Sequence, residues 1–309
     1  QSGYYLKSFV IELAADQKFM VYYEFIDSGT DPNNSEHTFG IVRNDKTPKP
    51  AYLTYRQMSE LFDSSMYLGK IDLSEKAVAY AFLKGGKVNV ALWSSEKEKV
   101  DFGQSLTLSD RYGNPLGSFR EFEITTEPLI AVNAGMTFAV RAVKETVSKM
   151  CDEWVEKYGK KSGHTADISE LKGLAKNIDI SKPETLESAI DKSYGCGLDI
   201  IGSYSEENEN YTWQEMSYSL YLIHRMGEIM SALAASNPAL YGKEIKLDAY
   251  QTAEKNVKAA AGEGKLVTSQ AILDAANSYK VLASKINETE TSPAKLGVIK
   301  AENLMCEKL

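Results

Sequence analysis

Four acidic side chains lie close together near the start of the chain: Glu24, Asp27, Asp31 and Glu36 fall within thirteen positions. Hydrolysis of a glycosidic bond needs two carboxyl groups, about 5 Å apart for retention of configuration and somewhat further apart for inversion. Carboxylates in loops also accept hydrogen bonds from backbone amides, and the sequence DPNN at 31–34 favours that role for Asp31. The cluster is therefore a candidate sugar site in which we expect Asp31 to stabilise a turn.

A pair of tyrosines, Tyr22 and Tyr23, precedes these carboxylates. Sugars stack their apolar faces on aromatic rings and also hydrogen-bond to phenols. On a strand, successive side chains point to opposite faces, so only one ring of the pair can face a bound sugar. We expect that ring to be Tyr23, because it shares a face with Phe25 and Asp27.

The segment that must position these residues begins with an almost continuously apolar run, FMVYYEFI at 19–26, which is typical of a strand buried on both faces of a parallel sheet. An apolar stripe over 5–13 predicts a helix before it, and Pro48 and Pro50 open a second helix after it. Helix, parallel strand, long loop and helix make up half of an α/β barrel unit. Such barrels place their chemistry at the carboxyl ends of strands, which puts 27–43 on a functional face.

The same segment resembles a known family of enzymes. The sequences YYEF at 22–25, GTDP at 29–32, EHTFGI at 36–41 and TPKPAY at 47–52 are similar, in order and spacing, to the final strand, loop and helix of retaining glycoside hydrolases of clan A. The resemblance covers residues 1–63, about a fifth of the chain.

This resemblance carries expectations about the site. The acid/base and the nucleophile of that family are glutamates at the ends of the fourth and seventh strands, which would lie before Gln1, so it implies no catalytic residue in this chain. It implies substrate-binding roles in the pocket wall for Tyr23, Glu24, Asp27, Glu36 and Phe39. For the three acidic residues, lining a sugar subsite and anchoring the loop stay open as alternatives. Because these glycosidases are commonly secreted or surface-bound, the expected location is extracellular or at the cell surface.

Antiparallel β-structure is predicted next. Alternating side chains over 77–83 and 88–93 flank a Gly-Gly pair at 85–86, which predicts a tight hairpin with a primed turn. Further short strands separated by turn residues predict a small β-sandwich over 64–134, similar to the accessory sandwich of several of those glycosidase families. Its role is open between a sugar-binding module and a packing buttress, and the single tryptophan in it, Trp93, favours the buttress.

The rest of the chain has helical periodicity. An apolar stripe from Val143 to Tyr158 marks one helix, and the capping-box spacing of Thr212 and Glu215 opens another. Further helices are predicted at 183–194, 247–261, 272–286 and from 292 onward. The predicted fold class is a multidomain α and β protein: the terminal strand and helices of a (β/α)8 barrel at 1–63, a small antiparallel β-sandwich at 64–134 and an all-α helical bundle at 135–309.

The composition limits the class of ligand. The chain has 309 residues, of which 43% are hydrophobic and 25% charged, as in an ordinary globular protein with room for two or three domains. Its net charge of −8, without clustered Lys and Arg, disfavours nucleic acid and suits a neutral sugar polymer. The sequence contains no run of about eighteen apolar residues that would predict a membrane span.

The cysteines and histidines predict neither a metal nor a cofactor. Cys151, Cys196 and Cys306 are widely separated without a C-x-x-C spacing, and each is predicted to be a buried thiol. The three histidines are too scattered along the sequence to predict a metal site or a catalytic triad.

The resemblance implies that the chain is the carboxyl-terminal portion of a glycoside hydrolase that acts on a polysaccharide or oligosaccharide, with its catalytic glutamates upstream. One strand and two helices cannot close a barrel, so residues 1–63 should need a partner: an upstream part of the same protein, a neighbouring subunit or the predicted sandwich. One alternative is a non-enzymatic surface scaffold that retains a glycosidase-derived segment. Another is a purely carbohydrate-binding fragment.

Overall fold

The computed structural model describes residues 1–17, 20–205 and 213–236. The chain forms two compact units, Gln1–Ala142 and Val143–Leu309. Helices and an antiparallel sheet make up the first unit, and the described part of the second unit is helical.

The first unit is built around one antiparallel sheet. Its strands are β1 (Met66–Asp72), β2 (Ala77–Lys84), β3 (Lys87–Ser94), β4 (Glu98–Asp110), β5 (Pro115–Ile124) and β6 (Leu129–Ala131). They lie in the order β1-β2-β3-β6-β4-β5, and every neighbouring pair is antiparallel. The short strand β6 therefore joins the β1–β3 meander to the β4–β5 hairpin in a single sheet.

The predicted hairpin is confirmed. β2 and β3 pair along their whole lengths. Gly85 and Gly86 join them with φ values of +56° and +76°. Both values lie in the left-handed region that a primed turn requires and that glycine adopts without a steric penalty.

Two helices of the first unit pack against one side of this sheet: α1 (Ser2–Ala14) and α2 (Pro50–Leu61). Both were predicted from their apolar stripes, and Pro50 lies in the first turn of α2 as expected. Their buried side chains form one cluster with residues of the sheet and of the connecting segments, including Leu6, Val10, Met58, Phe62, Phe82, Ala91 and Ile130. The amino-terminal helices are thus held by the sheet.

Four further helices are described: α3 (Met136–Tyr158), α4 (Thr165–Lys176), α5 (Pro183–Ser205) and α6 (Trp213–Ala235). The stripe predicted for α3 is buried at Val143, Val147 and Trp154. In the second unit α5 packs against both α4 and α6. Among the described helices, none combines the length and the apolar character needed to cross a membrane.

The predicted end of a (β/α)8 barrel at 1–63 is wrong. In the described part of the apolar run, residues 20–26, β pairing is limited to one parallel bridge between Ile26 and Val42. Val21 and Phe25 are 82% and 58% exposed, not buried between two layers. Phe19 lies outside the described residues. A continuous apolar run indicates burial only when neighbouring strands cover it, and the sequence of the run does not supply them.

The other two parts of the predicted fold class also need correction. The strands between 66 and 131 form one sheet, not the two stacked sheets of a β-sandwich. An all-α bundle is not shown within the described residues, because the first turns of α3 belong to the unit that contains the sheet. Periodicity reports that a helix face is buried but not which element covers it. The helices predicted beyond residue 236 lie outside the described residues.

Candidate functional site

The candidate site is the segment 20–49, which folds back on itself between α1 and α2. The backbone N–H of Asp27 donates to the carbonyl of Val42 over 2.8 Å, and the N–H of Val42 donates to the carbonyl of Phe25 over 2.9 Å. The N–H of Lys49 donates to the carbonyl of Ile41 over 3.0 Å. These bonds close residues 28–40 into a loop with a fixed base.

A buried ion pair lies at the base of this loop. Lys49 Nζ lies 2.6 Å from Asp27 Oδ1, and the two side chains are only 15% and 8% exposed. Lys49 Nζ also donates to the carbonyl of Thr38 over 2.9 Å, and Asn44 Nδ2 donates to the carbonyl of Asp27 over 3.1 Å. Because a buried charge is costly unless it is paired and hydrogen-bonded, this network fixes the base of the loop in one arrangement.

Gly40 makes that arrangement possible by its lack of a side chain. A Cβ at this position would lie 2.3 Å from the backbone nitrogen of Asp27 and 2.8 Å from its Oδ1. The backbone of the returning loop therefore passes directly against the buried carboxylate. Gly29 plays a similar role at the other end of the loop, where a Cβ would lie 2.4 Å from the ring of His37.

A cavity of about 330 Å³ opens beside the ion pair. Its walls carry hydroxyl, amide, guanidinium and carboxylate groups, from residues that include Thr30, Thr38, Arg43, Asn44 and Asp45. Hydrogen bonds from the side chain and the backbone of Thr47 lower the pKa of Asp45 below its ordinary value, so this carboxylate is ionised at neutral pH. More of the cavity surface is apolar than polar, and such a surface with a few polar groups is suited to the apolar face and the hydroxyl groups of a sugar ring.

Two aromatic rings lie outside the lining of this cavity. The rings of Tyr23 and Phe39 lie 6.0 Å apart between centroids, and the two residues are 65% and 37% exposed. Tyr22 instead packs edge-on against Tyr5 at 4.6 Å. Burial raises the pKa of the Tyr22 phenol, which stays protonated at neutral pH. Of the two neighbouring tyrosines, Tyr23 is the one that presents its ring to solvent.

The remaining acidic residues of the cluster have different local roles. Glu24 Oε1 accepts a hydrogen bond from the backbone N–H of Ser28 over 3.1 Å. Asp31 Oδ1 accepts from the N–H of Asn33 over 2.9 Å, which confirms the turn expected there. The Glu36 side chain is exposed, and its backbone carbonyl accepts from Ser28 Oγ over 2.7 Å. Glu24, Asp27 and Glu36 thus lie on the one segment 20–49, but the carboxylate of Asp27 is paired with Lys49 at the base of the loop.

Sequence reasoning missed Lys49 and Asn44, the partners of Asp27, and Thr38, whose carbonyl accepts from Lys49. All three belong to a polar stretch with no periodicity, and nothing in the sequence shows that residues 11 to 22 positions from Asp27 or Lys49 fold back onto them. A useful signal was the paired occurrence of a short acidic residue after an apolar run and a lysine between two prolines, Pro48 and Pro50.

The two described cysteines match their prediction as buried thiols. Cys151 and Cys196 are buried and free, and burial raises the pKa of each thiol to about 12. Both are therefore protonated and unreactive at neutral pH. Cys306 lies outside the described residues.

Comparisons with known proteins give a distant likeness. No protein-family model and no curated protein matches the chain. A solved structure of a family 39 glycoside hydrolase from the gut symbiont Bacteroides cellulosilyticus WH2 is similar to part of it, with a TM-score of 0.36 and 22% sequence identity. The likeness covers 43% of this chain and 30% of that chain. Part of the chain is thus weakly similar to part of a glycoside hydrolase, at a level too low to establish a shared fold.

Proposed function

We propose that the segment 20–49 is a carbohydrate-binding surface, and that the chain is a portion of a glycoside hydrolase whose catalytic glutamates lie outside it. The observation that carries the proposal is the exposed ring pair of Tyr23 and Phe39 on the segment 20–49. The buried Asp27–Lys49 ion pair fixes the base of the loop in this segment. Exposed aromatic rings on a rigid polar support are what recognition of a sugar ring requires.

The side chains on this surface would make two kinds of contact with a sugar. Tyr23 and Phe39 offer ring faces to the apolar C–H face of a sugar, and Glu24 and Glu36 offer acceptors for its hydroxyl groups. Asp27 has a positioning role, because its carboxylate is occupied by Lys49. The loop thereby orders its contacts before the ligand arrives, which lowers the entropy cost of binding.

The same proposal includes the setting of the protein. An extracellular or cell-surface location follows from the resemblance to secreted glycosidases and from no other observation. The partner that would supply the catalytic glutamates is an upstream part of the same protein or a neighbouring subunit.

Isothermal titration calorimetry with neutral oligosaccharides tests the proposal directly. We expect the full chain to bind a neutral hexasaccharide such as cellohexaose, and Tyr23→Ala to weaken binding about two- to tenfold, since an aromatic contact contributes about 0.5–1.5 kcal/mol. Tyr4→Ala is the matched control, because Tyr4 is a 74% exposed tyrosine in α1. Absence of binding to every oligosaccharide tried, or equal losses in the two variants, would contradict the proposal.

A second candidate is the non-enzymatic surface scaffold, which the exposed apolar side chains of the same segment favour. Val21 and Phe25 are 82% and 58% exposed and add an apolar strip beside Tyr23. A scaffold would use this strip to contact protein, so Phe25→Asp would abolish self-association in analytical ultracentrifugation and leave sugar titrations unchanged. Self-association that depends on Phe25, without any sugar binding, would favour the scaffold over the hydrolase.

A further inference from the structure

A second group of side chains with potential chemistry lies between α4 and α5. His164 and Asp167 are at the start of α4 and Asp199 is on α5, and one ligand atom from each lies within 4.8 Å of the other two. We propose that these three residues bind a divalent transition-metal ion.

The sequence spacing explains how the three side chains meet. His164 and Asp167 are three residues apart at the first turn of α4, so they lie on one face of it. Asp199 and Ser203 are four residues apart on α5 and share a face of that helix. The two faces meet, because His164 Nε2 lies 2.7 Å from Ser203 Oγ. The spacing of the histidines does not predict this cluster, because it contains one histidine and takes its other two ligands from aspartates.

The imidazole of His164 is oriented as a metal ligand would be. Its Nε2–H can donate to Ser203 Oγ at 2.7 Å, which leaves the lone pair of Nδ1 directed towards Asp167 Oδ2 at 3.7 Å. A ligating histidine commonly donates its second N–H to a neighbouring group, which sets the tautomer and the ring orientation. In this tautomer a cation between Nδ1 and Oδ2 would make favourable contacts with both atoms.

Asp167 is supported in the same way on its other oxygen. Lys192 Nζ donates to Asp167 Oδ1 over 2.7 Å, which leaves Oδ2 directed towards His164. The hydrogen bond from Lys192 thus fixes the orientation of the carboxylate, with Oδ2 on the side of His164. Hydrogen bonds to the distal oxygen of a ligating carboxylate are part of the outer shell that orders metal sites.

The local charge also favours a divalent ion. Lys192 pairs with Asp167 at 2.7 Å and with Glu170 at 2.8 Å. Asp199 adds a third carboxylate to the cluster. The carboxylates of Asp167, Glu170 and Asp199 carry three negative charges, and Lys192 carries one positive charge. The net charge of −2 is balanced by one divalent cation.

The donor set selects the class of metal. One imidazole nitrogen and two carboxylate oxygens suit Zn²⁺, Co²⁺, Ni²⁺ or Mn²⁺, whereas Mg²⁺ and Ca²⁺ prefer oxygen ligands alone. Ligands of a tetrahedral Zn²⁺ lie about 3.3 Å apart when each bond is about 2.0 Å long. The separation of up to 4.8 Å therefore has to shrink by up to about 1.5 Å, and the exposed Asp199 can supply that movement by rotating its side chain.

A nucleophilic triad is a less suitable interpretation of the same residues. The side chains are arranged in space as in such a triad, with the imidazole of His164 between Ser203 and Asp167. The distance of 3.7 Å between His164 Nδ1 and Asp167 Oδ2, however, exceeds the length of a hydrogen bond. The pair therefore lacks the direct hydrogen bond that a catalytic triad requires.

Calorimetric titration of the tag-free, EDTA-treated full chain with ZnCl₂ tests the metal site. We expect one equivalent of Zn²⁺ to bind, and Asp199→Asn to weaken it roughly tenfold or more, since even outer-shell changes cost about 10- to 100-fold in metal affinity. Glu184→Gln removes one exposed carboxylate from the same helix and should leave the affinity unchanged. Titration with MgCl₂ should give no comparable binding.

Cobalt provides a second readout that does not depend on heat. Co²⁺ bound by an imidazole and two carboxylates should give a visible absorption band that His164→Asn removes, with circular dichroism confirming that the variant is folded. The proposal is overturned if Zn²⁺ fails to bind at concentrations up to about 1 mM. It is equally overturned if Asp199→Asn and His164→Asn bind the metal as tightly as the Glu184→Gln control.

Discussion

Two apolar runs of the first unit have similar composition and opposite surroundings. β2 is buried at Ala77, Ala79, Ala81 and Phe82, whereas Val21, Tyr23 and Phe25 in the segment 20–26 are mostly exposed. β2 pairs with β1 on one edge and with β3 on the other, while 20–26 has the single bridge between Ile26 and Val42 among the described residues. Strand-like composition is therefore not sufficient for burial, and the availability of a paired neighbour decides it.

The largest effect should come from removing the aromatic side chain that joins the sheet to the amino-terminal helices. Phe82 is fully buried, with its ring 5.5 Å from that of Phe62. We expect Phe82→Ala to lower the free energy of unfolding by about 4 kcal/mol, through lost burial and the cavity that remains. Hydrogen exchange of the amides in β2 and β3 measures the loss.

Tyr23→Ala is the counterpart of this change on the exposed run. Tyr23 is 65% exposed, so its removal should change the free energy of unfolding by less than about 0.5 kcal/mol. A loss comparable to that of Phe82→Ala would show that 20–26 is buried in the native protein, and the contrast between the two runs would disappear.

The contrast between the runs explains which parts of the fold could be predicted. The β2–β3 hairpin follows from local rules, because Gly85 and Gly86 determine the turn and the turn determines the register. The helices α1 and α2 also follow from local periodicity and from Pro50. The partner of 20–26 is not local, so the sequence alone gave a parallel strand and a barrel where the structure has an irregular segment. A second sheet was likewise expected, because alternation along a strand does not tell whether its neighbours join one sheet or two.

In the loop, the next largest effect is expected at Gly40. Gly40→Ala places a Cβ 2.3 Å from the backbone nitrogen of Asp27, a contact that backbone movement must relieve. Overpacking of this kind costs about 3 kcal/mol, which urea unfolding measures. Gly163→Ala is the control, because Gly163 is exposed and a Cβ there meets no atom within 4 Å. Equal stability of the two variants would show that the loop does not need its close return past Asp27.

The ion pair at the base of the loop should contribute somewhat less. Asp27→Asn keeps the shape of the side chain and an acceptor oxygen for Lys49, but it removes the negative charge that pairs with the ammonium group. We expect a loss of about 2 kcal/mol, since Lys49 is largely buried and its charge becomes less well compensated. Urea unfolding measures this loss. A loss below about 0.5 kcal/mol would show that the Asp27 carboxylate does not stabilise the fold.

Asp31→Asn supplies the control for that substitution within the same loop. Asp31 accepts one hydrogen bond from the N–H of Asn33, and an asparagine carbonyl accepts the same bond. The same Asp-to-Asn change at this exposed position should therefore leave the free energy of unfolding within about 0.5 kcal/mol of the wild-type value.

The candidate site could be predicted only in part, for the same physical reason. Residue type and spacing are enough to predict the turn at Asp31, but they place Tyr23 on a buried strand that the structure does not have. Whether a carboxylate such as Asp27 is free or paired depends on a lysine 22 positions further along the chain. The substrate-binding roles of Tyr23, Glu24, Asp27, Glu36 and Phe39 stay predictions that the sugar titrations decide.

An effect smaller than those of Gly40→Ala and Asp27→Asn should come from the hairpin turn, where the requirement for glycine is conformational. Gly86 has a φ of +76°, and a Cβ there would meet no atom within 4 Å. Gly86→Ala should therefore cost only the left-handed strain of a non-glycine residue, about 1 kcal/mol. Since the strain lies in the backbone, hydrogen exchange should show the loss across β2 and β3, while the Asp27–Lys49 ion pair is unaffected. If Gly86→Ala proved as costly as Gly40→Ala, the hairpin would depend on close packing as the loop does, and its local predictability would need another explanation.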